Sequence, residues 1–145
     1  MKAYRTLYWN DVSEGDALPI FSKVVISTNI VYGAMVSRDF QPAHHDRDVA
    51  QKQGNKDIFM NILTTNGWTS RYLTDWTGPT GDIKKLSFAL KASCYPGDLF
   101  VWNGKVKKKY VEGEQHLVEV EYSAKVPAGD HCIGTAIIAL PVKDG

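Results

Sequence analysis

The sequence predicts an α+β domain, with its helices in the first half and an antiparallel sheet in the second. Two observations carry this reading. The apolar pattern has a helical period as far as Pro79 and a period of two afterwards. The turn signals of the second half are also short enough to join antiparallel neighbours. Size agrees: the chain has 145 residues, 43% hydrophobic and 23% charged, an ordinary soluble composition. A chain of this length buries about two thirds of its unfolded surface, enough for one autonomous core. No repeat, low-complexity tract or linker divides it, so one domain over residues 1–145 is expected.

The elements follow in order. Tyr4 to Tyr8 and Phe21 to Val25 are candidates for an edge strand. From Ser27 to Ser37, Ile30, Val31, Ala34 and Met35 recur at helical spacing, with Ser27 as N-cap. Asp46 caps a second short helix to about Gln53, and Gly54 supplies its left-handed stop. A longer helix is predicted from Phe59 to Trp76. Its Ile62, Leu63, Trp68, Tyr72, Leu73 and Trp76 spread over much of the circumference, so it should be covered on most sides. Gly78 and Pro79 end it after roughly 25 Å, the span of a small sheet. Four strands come next: Leu86/Phe88/Leu90/Ala92, Leu99 to Val106, Val118/Val120/Tyr122/Ala124/Val126, and Ile133 to Val142. They are separated by Pro96-Gly97-Asp98, Glu112-Gly113-Glu114 and Pro127-Ala128-Gly129-Asp130. The sheet should bury one face against the long helix and leave the other wetter.

Charge narrows the function. With 17 Lys+Arg against 16 Asp+Glu, the net charge of +1 offers no basic field for gripping nucleic acid. No apolar run approaches the roughly 20 residues that cross a bilayer, and no signal-type core opens the chain. A cytoplasmic protein with neither nucleic-acid nor membrane partners is expected. Cys94 and Cys132 lie far apart in strand-like surroundings and read as buried structural thiols.

The densest group of reactive side chains is the loop from Arg38 to Asp48, between the two short helices. Asp39 and His44 are five residues apart with Pro42 between them, and a turn there can bring both to one point. A carboxylate and an imidazole so placed can hold one water, one accepting its proton while the other donates to a developing carbanion. No metal is expected: the adjacent His44 and His45 tend to diverge, and no third spaced ligand is evident. Asp46 is explained by its capping role.

Asp39-x-x-Pro42-x-His44-x-Asp46 resembles the hydratase-2 motif of MaoC-like (R)-specific enoyl-CoA hydratases. The resemblance extends from about Tyr4 to Val142. It includes the opening Tyr8 to Asp16, Pro96-Gly97-Asp98 before an apolar strand, and Ala128-Gly129-Asp130 followed by Gly134-Thr135-Ala136. The stretch from Arg38 through Lys56-Asp57-Ile58-Phe59 to Leu73-Thr74-Asp75-Trp76-Thr77-Gly78-Pro79 is similar to the catalytic MaoC-like hydratase subunits of actinobacterial steroid (cholesterol) side-chain degradation.

This resemblance implies a single hotdog fold, a curved antiparallel sheet wrapped around one long central helix. It also implies a lyase that adds water across the 2,3 double bond of an enoyl-CoA, with a steroid or other bulky acyl group. Asp39 and His44 would be its catalytic pair, and the backbone N–H of Asn61 would stabilise the thioester oxyanion. The family's usual His-Gly pair before the helix is Met60-Asn61 here, and Met60 would border the substrate. Gln41 stands where Asn is frequent. No cofactor is implied beyond coenzyme A within the substrate. Its phosphates could meet Lys84 and Lys85 or the lysines at 105 and 107–109, which could equally just solubilise strand edges. Trp68, Tyr72 and Trp76 could line an acyl pocket or form plain core. The partner would be a second copy, or a different MaoC-like subunit without the catalytic motif, and His45 would be a surface or interface residue. Two alternatives remain: a non-catalytic acyl-CoA or steroid-binding subunit of a heteromeric hydratase, and a hotdog thioesterase relying on Asp57.

Overall fold

A computed structural model describes residues 5–143. The elements run β1 (Phe21–Val24), α1 (Ser27–Val36), α2 (Arg47–Lys52), α3 (Ile62–Thr77), β2 (Asp82–Leu90), β3 (Leu99–Glu112), β4 (Gln115–Val126) and β5 (Gly129–Ala139). The strands form one antiparallel sheet in the order β1-β3-β4-β5-β2, with α3 packed on one face. This is the hotdog arrangement. No helix among the described residues is long and apolar enough to cross a membrane.

Strand alternation builds the core. Phe100, Trp102 and Val106 of β3, Val118, Val120, Tyr122 and Ala124 of β4, and Cys132, Ala136 and Ile138 of β5 are buried on the helix side. Trp68 of α3 meets the Phe100 and Trp102 rings at centroid distances of 6.1 and 5.9 Å, and Tyr72 stacks on Trp102 at 6.4 Å. The helix face against the sheet differs from the expected one. It buries Thr64, Thr65, Thr69 and Thr77 with Tyr72 and Leu73, while Ile62 and Leu63 stay about half exposed at 51% and 47%. The threonines sit where the neighbours come close: Thr64 against Gly33, Thr65 on His131 and Thr77 against Gly81.

Three local expectations are corrected. Ser27 is the first helical residue of α1, not its cap; the cap is Ile26, whose N–H donates to Asn29 Oδ1 at 3.2 Å. The long helix starts at Ile62, because Phe59 to Asn61 is extended and pinned elsewhere, with Met60 N–H donating to Cys94 O at 3.0 Å. Finally, Pro96-Gly97-Asp98 does not join neighbouring strands. β2 pairs with β5, and Gly97 N–H donates to Val25 O at 2.7 Å, so this turn docks on the end of β1. The other two turns are hairpins, closing at Glu112↔Gln115 and Val126↔Gly129. β1 occupies most of the predicted Phe21 segment; residues 5–8 form no strand, and Tyr4 lies outside the described residues.

Asp46 caps α2 as expected, accepting Val49 N–H at 3.1 Å, and Gly54 follows with φ +89°. Gly33 lets α1 approach α3: a Cβ there would fall 2.1 Å from Thr64 Oγ1. The two helices therefore meet close to the loop that bears Asp39.

Candidate active site

The C-terminus of α1 sets the place of Asp39. Arg38 N–H donates to Met35 O at 3.0 Å and Asp39 N–H to Ala34 O at 2.9 Å, the paired bonds of a Schellman end. Such an end puts the residue after the cap in the left-handed region, and Arg38 accepts it with φ +59° where glycine is usual. The chain then reverses, and a 3-10 turn over Pro42–His44 carries the imidazole back toward the carboxylate. His44 Nε2 lies 3.4 Å from Asp39 Oδ2. The proline turn thus does what the spacing predicts.

The tautomer of His44 follows from its other nitrogen. Nδ1 lies 2.7 Å from Phe59 O, and a carbonyl only accepts, so Nδ1 carries the proton. The ring also packs edge-on to Phe59 at 4.8 Å and is 7% exposed. In neutral His44 the lone pair on Nε2 therefore faces Asp39. Two acceptors at 3.4 Å make no hydrogen bond with each other, but both can accept from one water.

Asn61 joins this pair to α3. It is the N-cap, with Oδ1 accepting Thr64 N–H at 2.9 Å, while Nδ2 donates to Ser37 Oγ and Asp39 Oδ2, each at 3.0 Å. Its backbone N–H has no acceptor among the described residues and lies at the positive end of α3. The Asn61 hydrogen bond is the main cause that holds the Asp39 carboxyl below the usual carboxylate range; burial opposes it, and the Gln41 N–H and His44 add lesser lowering effects. Behind Asn61, Thr65 Oγ1 lies 2.8 Å from His131 Nε2, and His131 Nδ1 donates to Ala92 O at 2.7 Å. Burial pushes the His131 imidazole toward its neutral form.

A search of known proteins finds a close relative. Over 130 residues the chain is 39% identical to the beta subunit of a 3-oxo-4,17-pregnadiene-20-carboxyl-CoA hydratase from Mycobacterium tuberculosis, covering 90% of this chain and 96% of that one. The chain belongs to the MaoC-like hydratase family. A crystal structure of the ChsH1-ChsH2 complex from the same organism contains a chain 38% identical to it, with a TM-score of 0.82 over 88% of this chain and 98% of that chain. A MaoC-like dehydratase from Rhodospirillum rubrum shares the fold at 18% identity, with a TM-score of 0.81 over 96% and 99% of the two chains. No protein-family model matches the sequence.

Other candidate residues of this MaoC-like chain fall elsewhere. Lys84 and Lys85 stand near the start of β2, and Lys84 pairs with Asp82 at 2.5 Å. The strand region adjoining Asn61 is the far end, at Ala92 and His131, about 20 Å away along β2. The two lysines are therefore not brought to the pair. Lys105 and Lys107 pair with Glu121 and Glu119 across the sheet, and Lys109 Nζ donates to Val12 O at 2.5 Å. Met60 is 3% exposed and belongs to the core.

Asp57 is engaged by Arg47 at 2.9 Å and accepts Ile58 N–H at 2.7 Å. His45 is exposed, and its Nε2 points to Phe40 O. The divergence expected of adjacent histidines is evident, and Asp46 is occupied as a cap. Trp68, Tyr72 and Trp76 pack into the core and also line a cavity of about 430 Å³ with Pro19, Ile20 and Phe21. Cys94 and Cys132 are free and buried, and burial pushes their thiols up to about 12 and about 11. What sequence reading missed is the side chain of Asn61, together with Ser37 and Phe59 O. The unusual Asn in place of the family's Gly was the available signal.

Proposed function

We propose that this chain hydrates the 2,3 double bond of an enoyl-CoA thioester with a steroid or other bulky acyl group, using Asp39 and His44. The observation that carries the reading is the approach of two acceptors, Asp39 Oδ2 and His44 Nε2, to 3.4 Å, close enough for a single water beside them to donate to both. As the water oxygen bonds to Cβ, one of its protons passes to the pair, with Nε2 as the open lone pair and Asp39 as the charge that steadies the resulting imidazolium. The alkene electrons move onto the thioester oxygen. The Asn61 N–H, at the positive start of α3, is the donor proposed to hold that oxyanion. Collapse of the enolate returns the proton from the pair to Cα, so the pair ends as it began. Each positioned acid or base contributes roughly 10²–10⁴-fold, and the oxyanion donor about 10²–10³-fold. The thioester itself makes Cα acidic, so coenzyme A enters as part of the substrate and no further cofactor is required.

A partner subunit is part of the proposal. Phe40 follows Asp39 and Ile62 and Leu63 follow Asn61, and the three are 62%, 51% and 47% exposed, while Tyr32 and Val36 of α1 are 68% and 82% exposed. That much apolar surface beside a reactive pair suits an acyl group and a second MaoC-like chain. The homologous hydratase subunit and the heteromeric complex among its structural relatives favour a different subunit over a second copy. A binding-only role draws on Met60-Asn61, yet neither side chain removes the Asn61 N–H. A thioesterase role draws on Asp57, which is already tied to Arg47.

The test is loss of conjugated thioester absorbance with enoyl-CoA esters of several sizes, for the protein alone and with a candidate partner. Asp39→Asn and His44→Ala should each lower kcat by about 10²-fold or more. Absence of turnover in every combination, or full turnover by either variant, would overturn the reading.

A further inference from the structure

We infer that the Asn61 side chain is a positioning residue for the acid–base pair, a tether that fixes the Asp39 carboxylate to the N-terminus of α3; this rests on the Asp39/His44 reading above. The carboxamide can sit only one way round. Oδ1 faces a donor, Thr64 N–H, whereas Nδ2 faces two acceptors, the Asp39 carboxylate and the Ser37 hydroxyl oxygen. Ser37 is an acceptor here because its own proton goes back to Gly33 O at 2.7 Å. Reversing the amide would lose three hydrogen bonds and set an oxygen against a carboxylate. At 2% exposure, Asn61 has little water to compensate.

One side chain therefore couples three things: the end of α1 through Ser37, the carboxylate through Oδ2, and the helix start through Thr64 N–H. The glycine usual in the family at this position would keep the N–H and lose all three side-chain bonds. His44 is the titratable group that faces Asp39, and it contributes least to holding the carboxyl low, whereas the Asn61 hydrogen bond contributes most.

Asn61→Asp separates tether from cap. It retains an oxygen for Thr64 N–H at a helix N-terminus that favours negative charge, but replaces the donor to Asp39 with an acceptor. Asn61→Gly removes cap and tether together and serves as the second variant. Carbon-13 NMR titration of the Asp39 carboxyl in free protein should show its midpoint rising by one pH unit or more in Asn61→Asp, and by less in Asn61→Gly. In the hydration assay the acid limb of the Asn61→Asp kcat profile should move up with it. Asn61→Gly should lose about 10²-fold in kcat with a smaller change in KM, as expected for a misplaced reacting group.

An unmoved Asp39 midpoint in Asn61→Asp overturns the tether even if the enzyme is active. A moved midpoint in a protein inactive on every enoyl thioester leaves the tether standing and removes the hydratase reading.

Discussion

At the residue scale, Arg38 carries a strain that glycine would not. A non-glycine residue at φ +59° costs on the order of 1 kcal/mol, and nothing else at the end of α1 demands a side chain there. Arg38→Gly should stabilise the fold by about that amount, raising Tm by about 3 °C in a thermal melt. Asp39 has a folded value below its unfolded one. Its contribution to stability is complete above the ordinary carboxylate range and is lost as pH falls through the folded value. Asp39→Asn should accordingly flatten the acid end of the stability profile, as followed by denaturant melts at successive pH values. Asp39 and His44 were legible because their meeting depends on a short loop with a proline in it. Asn61 is seventeen positions beyond His44 in a different element, and nothing local indicates that its amide turns toward the carboxylate.

At the scale of elements, the contact between α1 and α3 decides whether the site assembles. Gly33→Ala would place a methyl 2.1 Å from Thr64 Oγ1 and 3.0 Å from Thr64 Cβ, so rotating the threonine does not clear it. The helices must separate, at a cost of about 1–3 kcal/mol. Because Ser37 and Thr64 hold the two sides of Asn61, the same variant should lose activity even at temperatures where circular dichroism shows it folded. Asp46→Ala, by contrast, should cost about 1 kcal/mol through the lost cap of α2 and leave kcat nearly unchanged, since the Asp46 carboxylate accepts Val49 N–H and does not bond the pair. Caps, stops and hairpins of this kind could be read from adjacent residues. The pairing of β2 could not, because Pro96-Gly97-Asp98 has hairpin chemistry but is used to dock on β1, with Asp98 Oδ2 accepting Tyr95 N–H at 2.8 Å. The threonine face of α3 was missed for a related reason: hydropathy ranks Ile62 and Leu63 as core, whereas Thr64 and Thr65 are buried by long-range partners, Gly33 and His131, that neighbouring residues do not reveal.

For the whole molecule, His131 ties helix to sheet and makes stability depend on pH. Its imidazole is 2% exposed and held between Thr65 and Ala92 O, with burial opposing the charged form. The folded state therefore binds a proton less readily than the unfolded chain, whose histidine titrates near pH 6.5. Stability from this group is complete above about pH 6.5 and is lost as pH falls toward the lower folded value. Thermal melts between pH 7.5 and 5.5 should show Tm falling on the acid side. His131→Gln, which can still donate to Ala92 O and accept from Thr65, should show a lower but flatter profile.

The position of β2 also bears on how the chain folds. Among the described residues, the strand that leaves α3 finds its one sheet neighbour in β5, with Asp82 opposite Ala139 and Leu90 opposite Cys132. During synthesis, then, the helix and the strand after it wait for nearly all of the later chain before their backbone groups are paired. A ribosome stalled before β5 would present an unpaired β2 strand, a template for sticking to other nascent chains.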